Sequence, residues 1–195
     1  TCVQCSGTRE EWFLAMKMER LKTIRGRIMR PDPTQACFTV IDDALLVVGA
    51  DGRIESLGPA PSDCAIPTTN PEAIWMPGFV DTHVHFPQTE IIGRASGPLL
   101  DWLDQVVFPE EAKFSEAQYA QWVAERFCDA LIAQGTTSAA VYSSSHVGAT
   151  EILFSTFDRR GLRGLIGLTL MDQGAPDSVC LATEPALAGA EKLVS

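Results

Sequence analysis

Histidine is scarce in this chain, with three in 195 residues, and tyrosine is scarcer, with two. Basic side chains are outnumbered: 15 Lys and Arg stand against 25 Asp and Glu, a net charge of -10. So acidic a chain lacks the basic footprint that nucleic-acid binding requires. No stretch approaches the roughly 20 apolar residues of a membrane span, so no membrane partner is expected. The N-terminus shows no basic start, apolar run or small-residue cleavage site of a secretory leader. The expected compartment is therefore the cytoplasm. Of the six cysteines, Cys2 and Cys5 form one C-x-x-C, and a zinc ribbon needs a second such pair. Free thiols in a reducing cell are the simpler reading. No glycine-rich phosphate loop follows a strand candidate, which counts against a nucleotide-binding β-α-β module.

What is present is a change of texture along the chain. Residues 1–20 stay unassigned, since Trp12, Phe13, Leu14 and Met16 fit a short helix or an extension equally well. From 21 to 74 the texture is β. Thr23–Met29, Thr39–Val48 and Arg53–Leu57 read as strands. The Asp51-Gly52 pair between the last two signals a hairpin, and Pro, Ser, Thr and Asn over 58–71 read as loop.

From 75 to 195 strands alternate with helices. Phe79–His85 is a strand, and 86–114 is irregular. Ser115 with Gln118 is a capping box for a helix with an apolar stripe of Tyr119, Trp122, Val123, Phe127, Ala130 and Leu131. Gly135 sits where a helix end favours glycine. Thr136–Tyr142 is a strand, Thr150–Arg160 a helix closed by Gly161, Leu165–Met171 a strand, and Glu184–Val194 a helix with Thr183 as its cap. Such alternation implies a parallel sheet with helical crossovers.

The chemistry centres on His83 and His85. At i and i+2 near a strand's C-terminal end, both side chains fall on one face. Neutral imidazole is the commonest metal ligand, and catalytic zinc takes three protein ligands plus water. Asp81 shares the face by the same count. It would orient a histidine or tie down local backbone. His146 closes the second strand candidate, as an outer partner of the site or as a loop residue. Asp172 ends the third, where capping or loop satisfaction is its expected job.

The run Met76-Pro77-Gly78-Phe79-Val80-Asp81-Thr82-His83-Val84-His85 resembles the first barrel strand of the amidohydrolase superfamily. Phe86-Pro87-Gln88-Thr89, Pro98-Leu99-Leu100-Asp101-Trp102-Leu103 and Phe108-Pro109-Glu110-Glu111 resemble its guanine deaminase branch, and Gly135-Thr136-Thr137 and Met171-Asp172 also fit. The resemblance covers roughly 21–195. It implies an α/β fold: a (β/α)8 TIM barrel, here its first three β/α units, with part of a small N-terminal β-sandwich domain.

It also implies zinc, Zn2+, one per chain, with His83 and His85 among the ligands. Phe86, Pro87 and especially Gln88 would contact a purine, and Leu100 and Trp102 would wall its pocket. A carboxamide pairs with an edge carrying both donor and acceptor. The plainer alternatives are a solvated loop for Gln88 and core packing for Leu100 and Trp102. The implied reaction is hydrolytic deamination of guanine to xanthine and ammonia by a metal-activated water. The expected partner is that small molecule; a homodimer is left open. A sister enzyme acting on adenosine or S-adenosylhomocysteine, or a chlorohydrolase, is the alternative. Neither H-x-E nor P-C-x-x-C occurs, the marks of a different zinc deaminase class. A whole barrel needs about 250 residues, so the expectation is an N-terminal piece, inactive alone, with its remaining ligands and acid/base elsewhere.

Overall fold

The computed structural model describes residues 23–194. The N-terminal extension, including Cys2, Cys5, Trp12, Phe13, Leu14 and Met16, lies outside the described residues. Two compact units divide between Pro77 and Gly78.

The first unit is one four-stranded sheet. β1 (Thr23–Asp32), β2 (Cys37–Val48) and β3 (Ile54–Pro59) pair antiparallel in sequence. β4 (Ile74–Trp75) joins β1 in parallel, giving the order β3-β2-β1-β4. Alternation drives β1: Ile24, Gly26 and Ile28 turn inward while Arg27 faces water, the period of a half-buried strand. The Asp-Gly turn forms as expected, with Gly52 at φ 77° and the Gly49 N–H donating to the Arg53 carbonyl at 2.8 Å. Arg25 pins the long 60–73 loop. Its guanidinium is bidentate on Asp43 and donates from Nη1 to the carbonyls of Cys64 and Ile66, each at 2.9 Å. Among the described residues this unit is a single layer, with no second sheet to make a sandwich. Because β4 pairs with β1, the boundary falls after it rather than before Trp75.

The second unit is a three-stranded parallel sheet, β5 (Phe79–His85), β6 (Thr136–Tyr142) and β7 (Arg163–Gly167), in the order β5-β6-β7. α3 (Ala117–Ala133) and α4 (Val147–Arg160) connect the strands. They pack on one face through Val123, Phe127, Leu131, Leu153 and Phe157 against Ala139 and Val141. Val80 and Leu165 stand exposed. Gly135 at φ 78° and Gly161 at φ 68° close the two helices, conformations that glycine reaches without a Cβ clash. α5 (Thr183–Lys192) follows. Cys37, Cys64, Cys128 and Cys180 are free thiols.

Four expectations need correction. The 86–114 segment is mostly helical. A 3₁₀ turn covers Phe86–Ile91, and α1 (Leu99–Trp102), a π turn (Leu103–Val107), α2 (Phe108–Glu111) and a 3₁₀ turn (Ala112–Ser115) run on without a break. Pro87 lies in the first turn of its 3₁₀ segment, where a missing N–H costs little, and Pro109 follows directly on the π turn inside the continuous run. Ser115 does not cap α3. Its hydroxyl donates to the Ala112 carbonyl at 2.9 Å, and Glu116 occupies the cap position without a side-chain bond. β7 stops at Gly167. Beyond it Thr169 bends onto the end of β6, its hydroxyl donating to the Ser143 carbonyl and its N–H to that of Ser144. Asp172 therefore ends no strand. It accepts a hydrogen bond from the Thr183 hydroxyl at 2.7 Å, so Thr183 is the first helical residue rather than the cap, which is Ala182.

Candidate metal and substrate site

β5 owes its start to Gly78. A Cβ there would meet Thr137 Cγ2 at 2.1 Å and Oγ1 at 2.2 Å. Thr137 crowds that spot because the register steps once on β5 (Phe79 to Val80) and twice on β6 (Thr136 to Ser138). Gly78→Ala is therefore expected to destabilise the protein by about 1–3 kcal/mol, the usual cost of overpacking. Urea unfolding measures it. Adding Thr137→Gly should restore most of the loss, and a double variant no better than Gly78→Ala alone would refute the clash.

A second irregularity shapes the site. Asp81 pairs with Ala139 and Val84 with Val141, so Thr82 and His83 together stand opposite Ala140. This β-bulge interrupts the alternation between Asp81 and His85. By register Asp81 lies level with the buried Ala139, His85 level with the half-exposed Tyr142. Asp81 still lines a hollow beside His83 and His85. Its Oδ1 accepts the backbone N–H of His83 at 3.0 Å, which is the backbone-tying alternative.

The imidazoles converge at the C-terminal end of β5. His83 Nε2 and His85 Nε2 are 3.2 Å apart. Burial, then the neighbouring His83, pulls the His85 pKa below the ordinary 6.5, which favours the neutral, ligating form. Tyr142 covers both rings, with centroids 4.8 Å from His85 at 13° and 4.7 Å from His83 at 44°. The donor set fits a zinc ion. Two nitrogens at about 2.0–2.1 Å from a tetrahedral zinc lie roughly 3.3 Å from each other. Among the described residues no group of three His, Cys, Asp or Glu assembles there.

A hollow of about 400 Å³ runs along β5, lined by His83, His85, Gln88 and Thr89 and by Phe127 and Leu131 of α3. Of Phe86, Pro87 and Gln88, only Gln88 reaches it. Phe86 and Pro87 are fully buried, and Phe86 packs edge-on against Phe114 at 4.9 Å. These two side chains belong to the core and fix the turn that carries Gln88. Leu100 is 72% exposed, not core, and Trp102 is half-buried with an indole N–H that finds no acceptor among the described residues. Neither lines the hollow. His146 occupies the cap position of α4 and lines a separate hollow with Asp177 and Ser178. Its pKa is lowered by burial.

Sequence reading missed two residues. Tyr142 was legible in principle, because the strand-end logic applied to His146 applies to it too. Glu111 is an acid only 6% exposed, pushed up to about 7 by burial. Its apolar neighbours Val107 and Phe108 were the available signal.

The match to known proteins follows the same residues. The Amidohydrolase family matches residues 74–194. The chain belongs to this family. The guanine deaminase of Escherichia coli (strain K12) is 29% identical over 188 residues, covering 89% of this chain and 42% of that protein. The probable guanine deaminase of Deinococcus radiodurans is 36% identical over 152 residues, covering 73% and 34%. Among solved structures, guanine deaminase from Bradyrhizobium japonicum superposes with a TM-score of 0.78 at 33% identity, over 88% of this chain and 40% of that one. Guanine deaminase from C. acetobutylicum, solved with guanine bound in the active site, gives 0.76 at 29% identity, over 89% and 42%. This amidohydrolase chain thus spans about two-fifths of the length of the guanine deaminases that it resembles. Among the described residues no helix is long and apolar enough to cross a membrane.

Proposed function

We propose that the protein deaminates guanine hydrolytically to xanthine and ammonia, with zinc held in part by His83 and His85. The observation that carries the reading is the 3.2 Å approach of the two Nε2 atoms at a parallel strand's C-terminal end, in a chain whose relatives include guanine deaminases. In this reading the three strands are the first of a (β/α)8 barrel, whose active sites form at that end. Zinc, when bound, supplies a water acidic enough to act as hydroxide near neutral pH.

The chain's own residues bind and orient. The i, i+2 spacing of His83 and His85 sets both imidazoles to one side. Phe86 and Pro87 anchor the following turn in the core, which holds Gln88 three residues past His85. The Gln88 carboxamide donates to and accepts from a purine edge. The apolar side of the hollow, from Phe127 and Leu131, suits a flat ring.

The test is a substrate comparison on the intact protein, following ammonia release from guanine and from S-adenosylhomocysteine. Guanine is expected to be preferred. Gln88→Ala should lower kcat/KM for guanine about 5- to 150-fold with zinc content unchanged, the cost of leaving a polar ligand group unpaired. Preference for the adenosine derivative, or a Gln88→Ala enzyme as fast on guanine as wild type, would transfer the reading to a sister deaminase.

A further inference from the structure

We infer that Tyr142 is a positioning residue for the metal site, holding the His83 and His85 rings in their converging orientation through its aromatic face. The inference deepens the proposed function and rests on the reading of the pair as zinc ligands.

A ligating histidine ordinarily donates its second ring N–H to a carboxylate, carbonyl or water, which fixes both tautomer and ring angle. Here that support is missing. Among the described residues neither His83 Nδ1 nor His85 Nδ1 has a hydrogen-bond partner, and the one side-chain hydrogen bond of either ring is to the other. Asp81, which lines the same hollow, is occupied by the His83 backbone N–H and bonds to neither ring. Two imidazoles on an exposed strand end would otherwise rotate freely about χ2, a broad torsion for histidine.

Tyr142 supplies the restraint from the neighbouring strand. The β5–β6 register sets it level with His85, so both rings leave the sheet side by side. They lie nearly parallel, at 13° and 4.8 Å, while His83 leans on the same phenol at 4.7 Å and the imidazole centroids are 5.2 Å apart. All three separations fall in the range of favourable ring pairs. A flat face set parallel to His85 resists rotation of that imidazole, and His83 sits beside the stacked pair in contact with both rings. Once the imidazoles carry a cation, the electron-rich phenol face also attracts the positive charge that spreads over them. The phenol hydroxyl has no hydrogen-bond partner among the described residues, so the ring rather than the hydroxyl performs this role.

The experiment measures zinc affinity of the intact protein by competition with a chromogenic chelator, with Zn2+ alone as probe. It is paired with the visible spectrum of the cobalt-substituted form. Tyr142→Leu keeps an apolar side chain of moderate size at a position that is 45% exposed, and circular dichroism checks that it folds. The expected result is zinc affinity at least about tenfold weaker, within the 10- to 100-fold typical when a group that orients a ligand is lost. The ligand-field bands should shift with it. Tyr142→Phe, which keeps the face, should stay within about twofold of wild type in both readouts. Wild-type affinity and an unchanged spectrum in Tyr142→Leu would overturn the inference, as would a Tyr142→Phe variant as weak as Tyr142→Leu. A raised KM for guanine in Tyr142→Leu with affinity and spectrum unchanged would make Tyr142 a substrate contact instead. His83→Ala separates the two levels. If it binds zinc as tightly as wild type, the ligand reading itself fails, whatever Tyr142 does.

Discussion

His83→Ala should remove zinc and guanine deamination together from the intact protein, with activity falling about 10³-fold or more. The size follows from what a catalytic metal contributes, several kcal/mol of transition-state stabilisation, each 1.36 kcal/mol being tenfold in rate. The joint loss follows from geometry. His83 and His85 present their Nε2 atoms 3.2 Å apart toward one point, and removing one leaves a monodentate strand. His85→Ala should therefore match His83→Ala. Folding is a poor explanation for such a loss, because His83 is exposed and exposed substitutions usually move stability by no more than about 0.5 kcal/mol. Metal analysis after gel filtration, read beside ammonia release and an unfolding curve, makes the comparison. A variant that retains stoichiometric zinc and turnover would remove His83 from the site. The contrast with Gln88→Ala is informative, since that change should lower turnover while zinc stays bound.

Much of this arrangement is legible in the amino-acid sequence, and the exceptions have physical causes. The strands from Phe79 and Thr136 and the helices between the strands follow from apolar periodicity and from glycine at Gly135 and Gly161, whereas the third strand, expected at Leu165–Met171, lies at Arg163–Gly167. Those signals are local and strong. The convergence of His83 and His85 follows from period-2 spacing. The bulge at Thr82 and His83 does not, because counting by twos assumes one residue per rung, and the extra residue there arises from pairing with β6. The helical turns over 86–115 are hidden because proline usually breaks helices; Pro87 is tolerated in a first turn, and Pro109 where the run passes from a π turn to an α turn. β4 is two residues long, held by β1, and carries no period of its own. The importance of Tyr142 is a register effect. Its place at the end of β6 marks Tyr142 as a candidate, but its contact with both imidazoles appears only when β6 is laid beside β5. Leu100 shows the reverse failure: an apolar run that reads as core or pocket wall is largely exposed.

Glu111→Gln is expected to stabilise the protein by roughly 3 kcal/mol at pH 8 and by almost nothing at pH 4.5. Glu111 is 6% exposed, and one carboxylate oxygen has no hydrogen-bond partner among the described residues. No ion pair or hydrogen bond reaches the Glu111 carboxylate among the described residues, and nearby charged groups pair with one another. Glu110 takes hydrogen bonds from Lys113 and Tyr119, and Glu90 pairs with Arg126. Burial alone pushes the acid up from 4.5 to about 7. Below 4.5 the group is protonated in folded and unfolded chains alike, and pH has no leverage through it. Between 4.5 and 7 the folded chain keeps a proton that the unfolded chain has released, so stability falls as pH rises. Above 7 the whole cost of a buried charge is present, roughly 3 kcal/mol at 1.36 kcal/mol per pH unit. Glutamine mimics the protonated acid in shape and neutrality at every pH, so it abolishes this slope. His85 and His146, whose pKa values burial lowers, act in the opposite sense: their share of stability is lost as pH falls below 6.5. Both proteins contain them, so they cancel in the difference between wild type and variant. Urea unfolding of the two proteins at pH 4.5 and at pH 8 reads that difference directly. Any strain introduced by the amide itself is the same at both values and drops out of the comparison. A gain of equal size at the two pH values, or no gain at pH 8, would show that Glu111 finds a compensating partner in the folded protein and is ionised there at neutral pH.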